Sequence, residues 1–495
     1  MMGAYRLSLL VAAVLGVTLA GLGRDGDVAA SGSPSATAVA LGWIHTCALT
    51  EAGGVMCWGF NAHNELGDGT RVDRWRPVGV SGLGGGIRAI ATGARHGCAL
   101  TGDGRLKCWG YNYYGQLGDG TNVNRSAAVG VSGLAGGVSA VSTGAFHTCA
   151  LTSGGSVECW GDNSRGQLGD GTVHERWTRA VVSGLAGGVI AVAAGDSHSC
   201  AIVPKGGVRC WGENQYGQLG DGTTLRRLTP VDVHGLDSSV TALALGGRQS
   251  CALIAAGEVK CWGGNIFGQL GDGTTRRRLT PVDVTGLTGG VTAIAAGDAH
   301  TCALMRTGGM KCWGYNDWAQ LGDGTSVNRL RPVDVSGMGK GVTAISAGAL
   351  HSCARTRTGN AKCWGDNENG QLGDGTPEEH SRPVYALGLG PAPVTLSMVP
   401  ASPTVTRGRV VAVKLRCGAA GSCHGQLWLS ARVRLGSRAF AFDASTTALV
   451  RVKLDRTGFN LLAREGRLLA RAHVRLALAD GTTSEQSRPI TLKAP

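Results

Sequence analysis

The sequence predicts an all-β protein: a seven-bladed β-propeller followed by an immunoglobulin-like β-sandwich. Three observations predict it. A unit of 51 residues recurs seven times between Cys47 and Cys363. Each unit holds short apolar runs of strand length between Gly-rich turns, in a chain with 83 glycines. The repeats stop at Pro391-Ala392-Pro393, and alternating β-type segments then run to the C-terminus.

Residues 1–30 read as a secretory signal peptide. Arg6 gives a basic n-region, residues 7–23 (LSLLVAAVLGVTLAGLG) the apolar h-region, and Ala20 or Ala30 a small-residue cleavage site. An uncleaved membrane anchor is the alternative, but it asks for about 20 apolar residues. No cysteine precedes Cys47, so a lipoprotein box is not expected, and the C-terminus has no apolar tail. The small, polar stretch after the signal, residues 31–36, reads as a linker. The expected location is secreted or cell surface.

The propeller is expected over residues 37–390, with four strand signals per unit. The first, V-x-A-I-x-A-G as at Val291–Gly297, is rich in small and β-branched residues and suits a crowded inner position. The second, H-[TS]-C-A-L, and the third, V-x-C-W-G, flank a turn such as Thr50–Gly54 and form a hairpin. Pairing Thr50 with Gly54 sets Cys47 opposite Cys57. Directly opposed α-carbons lie about 4.5–5.5 Å apart, within the range a disulfide tolerates. The same register predicts Cys98–Cys108, Cys149–Cys159, Cys200–Cys210, Cys251–Cys261, Cys302–Cys312 and Cys353–Cys363. An even sixteen cysteines in an exported chain agree.

Free buried thiols and a metal site are the alternatives to those bridges. His-x-Cys recurs at His45, His96, His147, His198, His300 and His351. One copy carries Gln249 instead, and no C-x-x-C spacing occurs, so neither metal nor other cofactor is expected. The fourth strand is P-V-x-V-x-G-L, with proline at the start of an outer edge strand. Four-stranded units that cannot bury both faces alone close into a ring. The expected closure is by exchange: Pro383–Leu387 completes the blade begun at Thr37–Leu41.

The run H-T-C-A-L-T, then G-x-V-x-C-W-G-x-N-x(3)-G-Q-L-G-D-G-T, resembles the repeat of the regulator of chromosome condensation family. The resemblance covers residues 37 to about 389, whereas kelch and WD signatures are absent. It implies a seven-bladed propeller. It also implies two activities known in the family: guanine-nucleotide exchange through a β-wedge inserted between blades, and extracellular protein binding of the kind shown by propeller-type β-lactamase inhibitors. Strict 51-residue spacing leaves no room for a wedge between the first and seventh cysteine hairpins. The cysteine pair departs from the intracellular members and fits an exported version.

Residues 391–495 hold sixteen Lys/Arg against five Asp/Glu, so +11 of the chain's +13 lies there. Seven alternating segments predict the sandwich, with one helical turn at Asn460–Arg464 and a Cys417–Cys423 bridge. The region resembles small basic domains that end exported actinobacterial proteins. Its charge points to an anionic envelope polymer as partner, with no nucleic acid expected.

Candidate chemistry is sparse. The seven aspartates of L-G-D-G-T (Asp68, Asp119, Asp170, Asp221, Asp272, Asp323, Asp374) are equivalent, whereas an acid–base pair needs two different environments. Arg74, Arg125, Arg176, Arg227, Arg278 and Arg329, with His380 in the seventh place, recur in step with them. We therefore expect a structural Asp–Arg tie; a calcium loop would want further acids nearby. The repeated histidines and tryptophans read as structural for the same reason.

Function should sit where copies differ. One position before the constrained residue of the W-G-x-N loop reads His63, Tyr114, Arg165, Tyr216, Phe267, Trp318 and Asn369. Together with Phe60, Tyr111, Tyr113 and Tyr315 these form a candidate binding rim, the alternative being that each aromatic only packs over its loop. Trp75, Trp177 and the run Arg276–Arg278 are weaker candidates. The expected function is a monomeric, non-enzymatic, secreted or envelope binding protein for an extracellular protein or polysaccharide. A nucleotide exchange factor, or a hydrolase or lyase at the ring axis, are the alternatives. For the last, Glu378-Glu379-His380 is the one conspicuous unrepeated cluster.

Overall fold

The computed structural model describes residues 33–494, except 135, 391–395, 399–404, 407–408, 418–422, 432–433, 443–446, 466 and 478–482. The expected signal peptide lies outside the described residues. The chain divides after Gly390 into two compact units.

The first unit is a ring of seven antiparallel sheets, each of four strands in sequence order. We number these blades 1 to 7 along the chain. Blade 1 comprises Ala36–Leu41, His45–Thr50, Val55–Gly59 and Arg74–Gly79. The hairpin turn closes with Thr50 N–H donating to Gly54 O at 2.9 Å, and the resulting register places Cys47 opposite Cys57. All seven repeat pairs are bridged, with α-carbons 4.1 Å apart. Cys417 is disulfide-bonded too, whereas the side chain of Cys423 lies outside those described.

Each bridge is also core. Cys47 and Cys57 pack with Leu49, Val55 and Leu66 against Ala99 and Trp109 of blade 2. The Trp109 indole N–H donates to Glu65 O of blade 1 at 2.9 Å. The same tryptophan-to-loop bond recurs at the other seams, so one local sequence pattern fixes both the hairpin and its neighbour.

Two expectations need correcting. The outer strand begins three residues before its proline: blade 5 has Arg278–Asp283, with Pro281 inside. Gly263 pairs with Arg278 and Cys261 with Val282, so Pro281 sits in a bulge where no ladder N–H is required. Closure also uses no exchanged strand. Arg74–Gly79 is blade 1's own outer strand, and His380–Tyr385 pairs within blade 7. The ring closes with the standard seam contacts instead: Trp58 Nε1 donates to Gln371 O at 2.9 Å, and Cys353 and Cys363 pack against Ala48 and Trp58. Ala36 N–H to Gly359 O (2.8 Å) and Gly390 N–H to Pro34 O (2.9 Å) fasten the two ends.

Among the described residues the second unit holds seven strands in two sheets, one of three and one of four. Burial alternates along Val410–Cys417, as expected where one face of a sheet is covered. A ten-residue helix, Arg456–Glu465, replaces the single turn expected at Asn460–Arg464. Thr457, Gly458 and Asn460 are weak helix formers that hide its first half in the sequence. No helix among the described residues is long and apolar enough to cross a membrane.

Candidate functional site

The repeated polar residues are structural. In blade 1, Arg74 donates from Nε to Asp68 Oδ2 (2.9 Å) and pairs with it through Nη2 (2.8 Å). Asp68 Oδ1 accepts from Thr70 N–H and from Asn61 Nδ2. These bonds hold the carboxyl below its usual range against the opposing effect of burial. Five further blades repeat the Arg–Asp pair at 2.7–2.9 Å, and His380 takes the arginine's place on Asp374 at 2.8 Å. The Glu378-Glu379-His380 cluster is thereby part of a loop tie.

The histidines join blades. Thr148 Oγ1 donates to Gln116 O at 2.9 Å, which leaves it to accept from His96 Nε2, 2.9 Å away. The relay recurs with Ser199, Ser250, Ser352 and Thr46 as the hydroxyl. Burial pushes these imidazoles down, to about 3 for His96, His147, His198 and His351 and about 4 for His45 and His300, so they stay neutral. Two seams depart from the rule. Gln249 replaces one imidazole and donates to Gly297 O and His300 O instead. Blade 2 has Gly97 where the hydroxyl belongs, and neither ring nitrogen of His45 has a partner. The same seam carries Glu65 where the other copies have Gln; burial pushes its carboxyl up to about 7.

The divergent loops gather at one end of the ring. The position after each divergent residue is left-handed: φ is +78° at Gly115, +70° at Asn64 and +57° at Ala319, which explains its constraint. Tyr111, Tyr113 and Tyr114 cluster, with Tyr113–Tyr114 centroids 5.0 Å apart and His63 5.2 Å from Tyr111. Phe267 and Tyr315 form a second pair at 4.5 Å, with Trp318 on the same loop as Tyr315. Tyr216 stands apart from both, with the Arg248 guanidinium over its ring at 4.5 Å. Tyr113 is 60% exposed while its ring packs on Tyr111 and Tyr114. Trp75 and Trp177, both exposed, pack against Gly370 and Gly115 of the neighbouring blade's divergent loop, where a β-carbon would not fit.

Sequence reasoning missed the centre of this face. The two residues between each inner-strand glycine and the following His or Gln include Trp43, Arg95, Phe146, Asp196, Arg248 and Asp298. Phe146 joins the tyrosine cluster, 5.4 Å from Tyr114 and 5.7 Å from Trp43. Trp43 Nε1 reaches from blade 1 to Asp196 Oδ1 of blade 4 at 3.4 Å. The signal was present: this slot varies from copy to copy as the rim does. Below it, the inner strands line an axial cavity of about 360 Å3 with aliphatic and hydroxyl side chains such as Val39, Ile90, Leu243 and Thr343.

On the second unit, Trp428 stacks on His473 at 5.1 Å, with Arg434 and Arg475 5.8 and 5.6 Å from its ring.

The RCC1-like domain family matches residues 21–285 and 135–430. The chain belongs to that family. It is 31% identical over 352 residues to the ultraviolet-B receptor UVR8 of Arabidopsis thaliana, covering 70% of this chain and 80% of the receptor. It is 33% identical over 349 residues to the human E3 ubiquitin-protein ligase HERC2, covering 68% of this chain but 7% of the ligase. Among solved structures, Prp20p of Saccharomyces cerevisiae superposes with a TM-score of 0.60 at 22% identity, over 72% of this chain and 87% of Prp20p. Human WBSCR16 gives 0.61 at 24% identity, over 69% and 96%. These structural likenesses establish the fold.

Proposed function

We propose that this chain is an exported binding protein whose disulfide-stapled propeller holds an extracellular protein or polysaccharide on the face built by Trp43, Phe146 and the Tyr111–Tyr114 loop. The observation that carries the reading is the concentration of aromatic side chains at positions that vary between otherwise near-identical blades. A rigid ring presenting half-exposed aromatics loses little conformational entropy on binding. Seven bridges fit an oxidising compartment and support export. The ubiquitin-ligase activity named for HERC2 belongs to a protein of which this chain matches only a small part. Aliphatic walls in the axial cavity and the structural use of His380 favour binding over hydrolysis.

The basic second unit, with its Trp428–His473 stack flanked by arginines, is proposed to hold the protein near an anionic envelope polymer. The test uses the full oxidised chain as bait for surface extracts, beside a variant with Ala at Tyr113, Tyr114 and Phe146. Loss of a captured component in the variant supports the face; equal recovery from both moves recognition elsewhere.

A further inference from the structure

We infer that the partner held on this face is a protein that seats a basic side chain, lysine or arginine, in the mouth of the axial channel. The inference rests on the binding reading above and names the chemistry of its ligand.

Charge is the first argument. The turns and loops of this face carry Glu65, Asp162, Asp196, Glu213, Asp298, Asp317, Asp366 and Glu368 against Arg95, Arg165, Arg248, Arg226 and Arg277, the last two reaching Ser164 O and Gln215 O, a net charge of −3. The first 390 residues as a whole carry +2, so the acidity is local. Electrostatic complementarity selects a basic patch on the partner.

Geometry is the second. At the mouth the blades enclose a cavity of about 150 Å3, bordered by Asp196, Asp298, Trp43, Gly247 and small residues. Asp298 occupies the space above Gly247, where a β-carbon would overlap its Oδ1, so blade 5 is cut back to admit the carboxylate. Neither aspartate has an ion-pair partner among the described residues. The Arg248 guanidinium lies over the Tyr216 ring at 4.5 Å, so its charge acts on both carboxylates without a salt bridge to either. Trp43 adds an indole wall. Though partly open to solvent, Asp196 is crowded by the mouth and by the Asp298 charge, and its carboxyl is pushed up to about 7. An incoming ammonium or guanidinium would relieve that repulsion while its stem packs on Trp43.

The test titrates the full oxidised chain with Nα-acetyl-lysine N-methylamide, the arginine analogue, and the neutral norleucine isostere, by ligand-observed NMR. The expected result is binding of a cationic probe, weakened about tenfold by Asp298→Asn and abolished by Asp196→Asn with Asp298→Asn. Norleucine should show no binding. Val181→Ala, exposed on the outer strand of blade 3, should keep its probe affinity within about twofold. Equal affinity of the double Asn variant, equal binding of norleucine, or no binding of either cation overturns the inference. Asp298 is exposed, so its single variant keeps the test valid if the double variant misfolds. The two readings fail separately: capture lost by the rim variant without cation binding sinks only the mouth, and cation binding with capture indifferent to the rim sinks the aromatic face.

Discussion

Replacing Glu65 by Gln should stabilise the ring at alkaline pH and not at acidic pH. Glu65 is fully buried, Oε2 accepts from His63 N–H at 2.8 Å, and Oε1 has no partner. Burial raises its carboxyl from 4.5 to about 7. The unfolded chain therefore ionises first as pH rises, and the folded state bears a penalty that grows from pH 4.5 to 7 and then stays level. At about 1.36 kcal/mol per pKa unit the full penalty is about 3 kcal/mol. Gln keeps the bond to His63, but its amide has its own cost: Gln116 and Gln320 Nε2 are unpartnered in their blades. That cost, about 1 kcal/mol or more, is nearly the same at every pH. The difference between the stabilisation at pH 8 and that at pH 4.5 should thus be about 3 kcal/mol. Urea denaturation of the oxidised chain, followed by tryptophan fluorescence, measures it. A Glu65→Gln effect identical at both pH values would refute the buried-carboxylate argument.

Other outcomes follow from the same contacts. Replacing Cys200 and Cys210 by Ala opens an eleven-residue loop and should cost about 2.8 kcal/mol from chain entropy; an unchanged thermal midpoint would contradict the staple. Thr148→Ala leaves His96 Nε2 without its acceptor and should cost about 1–3 kcal/mol in denaturation, with a neutral result counting against the seam relay. Acid should destabilise the ring. Six histidines with folded values near 3 to 4 take up protons only on unfolding. Each removes about 1.36 kcal/mol per pH unit below about 6.5, against the opposite effect of Glu65 and Asp196. A midpoint that is flat from pH 6.5 to 5 would show that these imidazoles are not held neutral.

The fold was legible where local chemistry repeats. A fixed turn length sets the Cys47–Cys57 register, and Arg74 recurring in step with Asp68 announces their tie. Closure was not legible, because the seam at Trp58 and Gln371 joins residues 313 apart and looks like every other seam only once the ring exists. Pro281 misled the reading of the outer strand, since a bulge removes the penalty that normally confines proline to a strand's start. The rim was visible in part: Tyr111, Tyr113 and Tyr114 meet, Phe267 and Tyr315 meet, and Tyr216 pairs with an arginine instead. Its centre was missed because Trp43, Phe146, Asp196 and Asp298 come from four blades and are brought together only by ring geometry.

The most direct test of the binding face places a photo-crosslinking benzoylphenylalanine at Tyr113 in the full oxidised chain, and separately at Val181 on the outer edge of blade 3. Both side chains are exposed, at 60% and 50%. The account predicts that one extracellular component crosslinks from position 113 and none from 181. Crosslinking from 181 alone would contradict it.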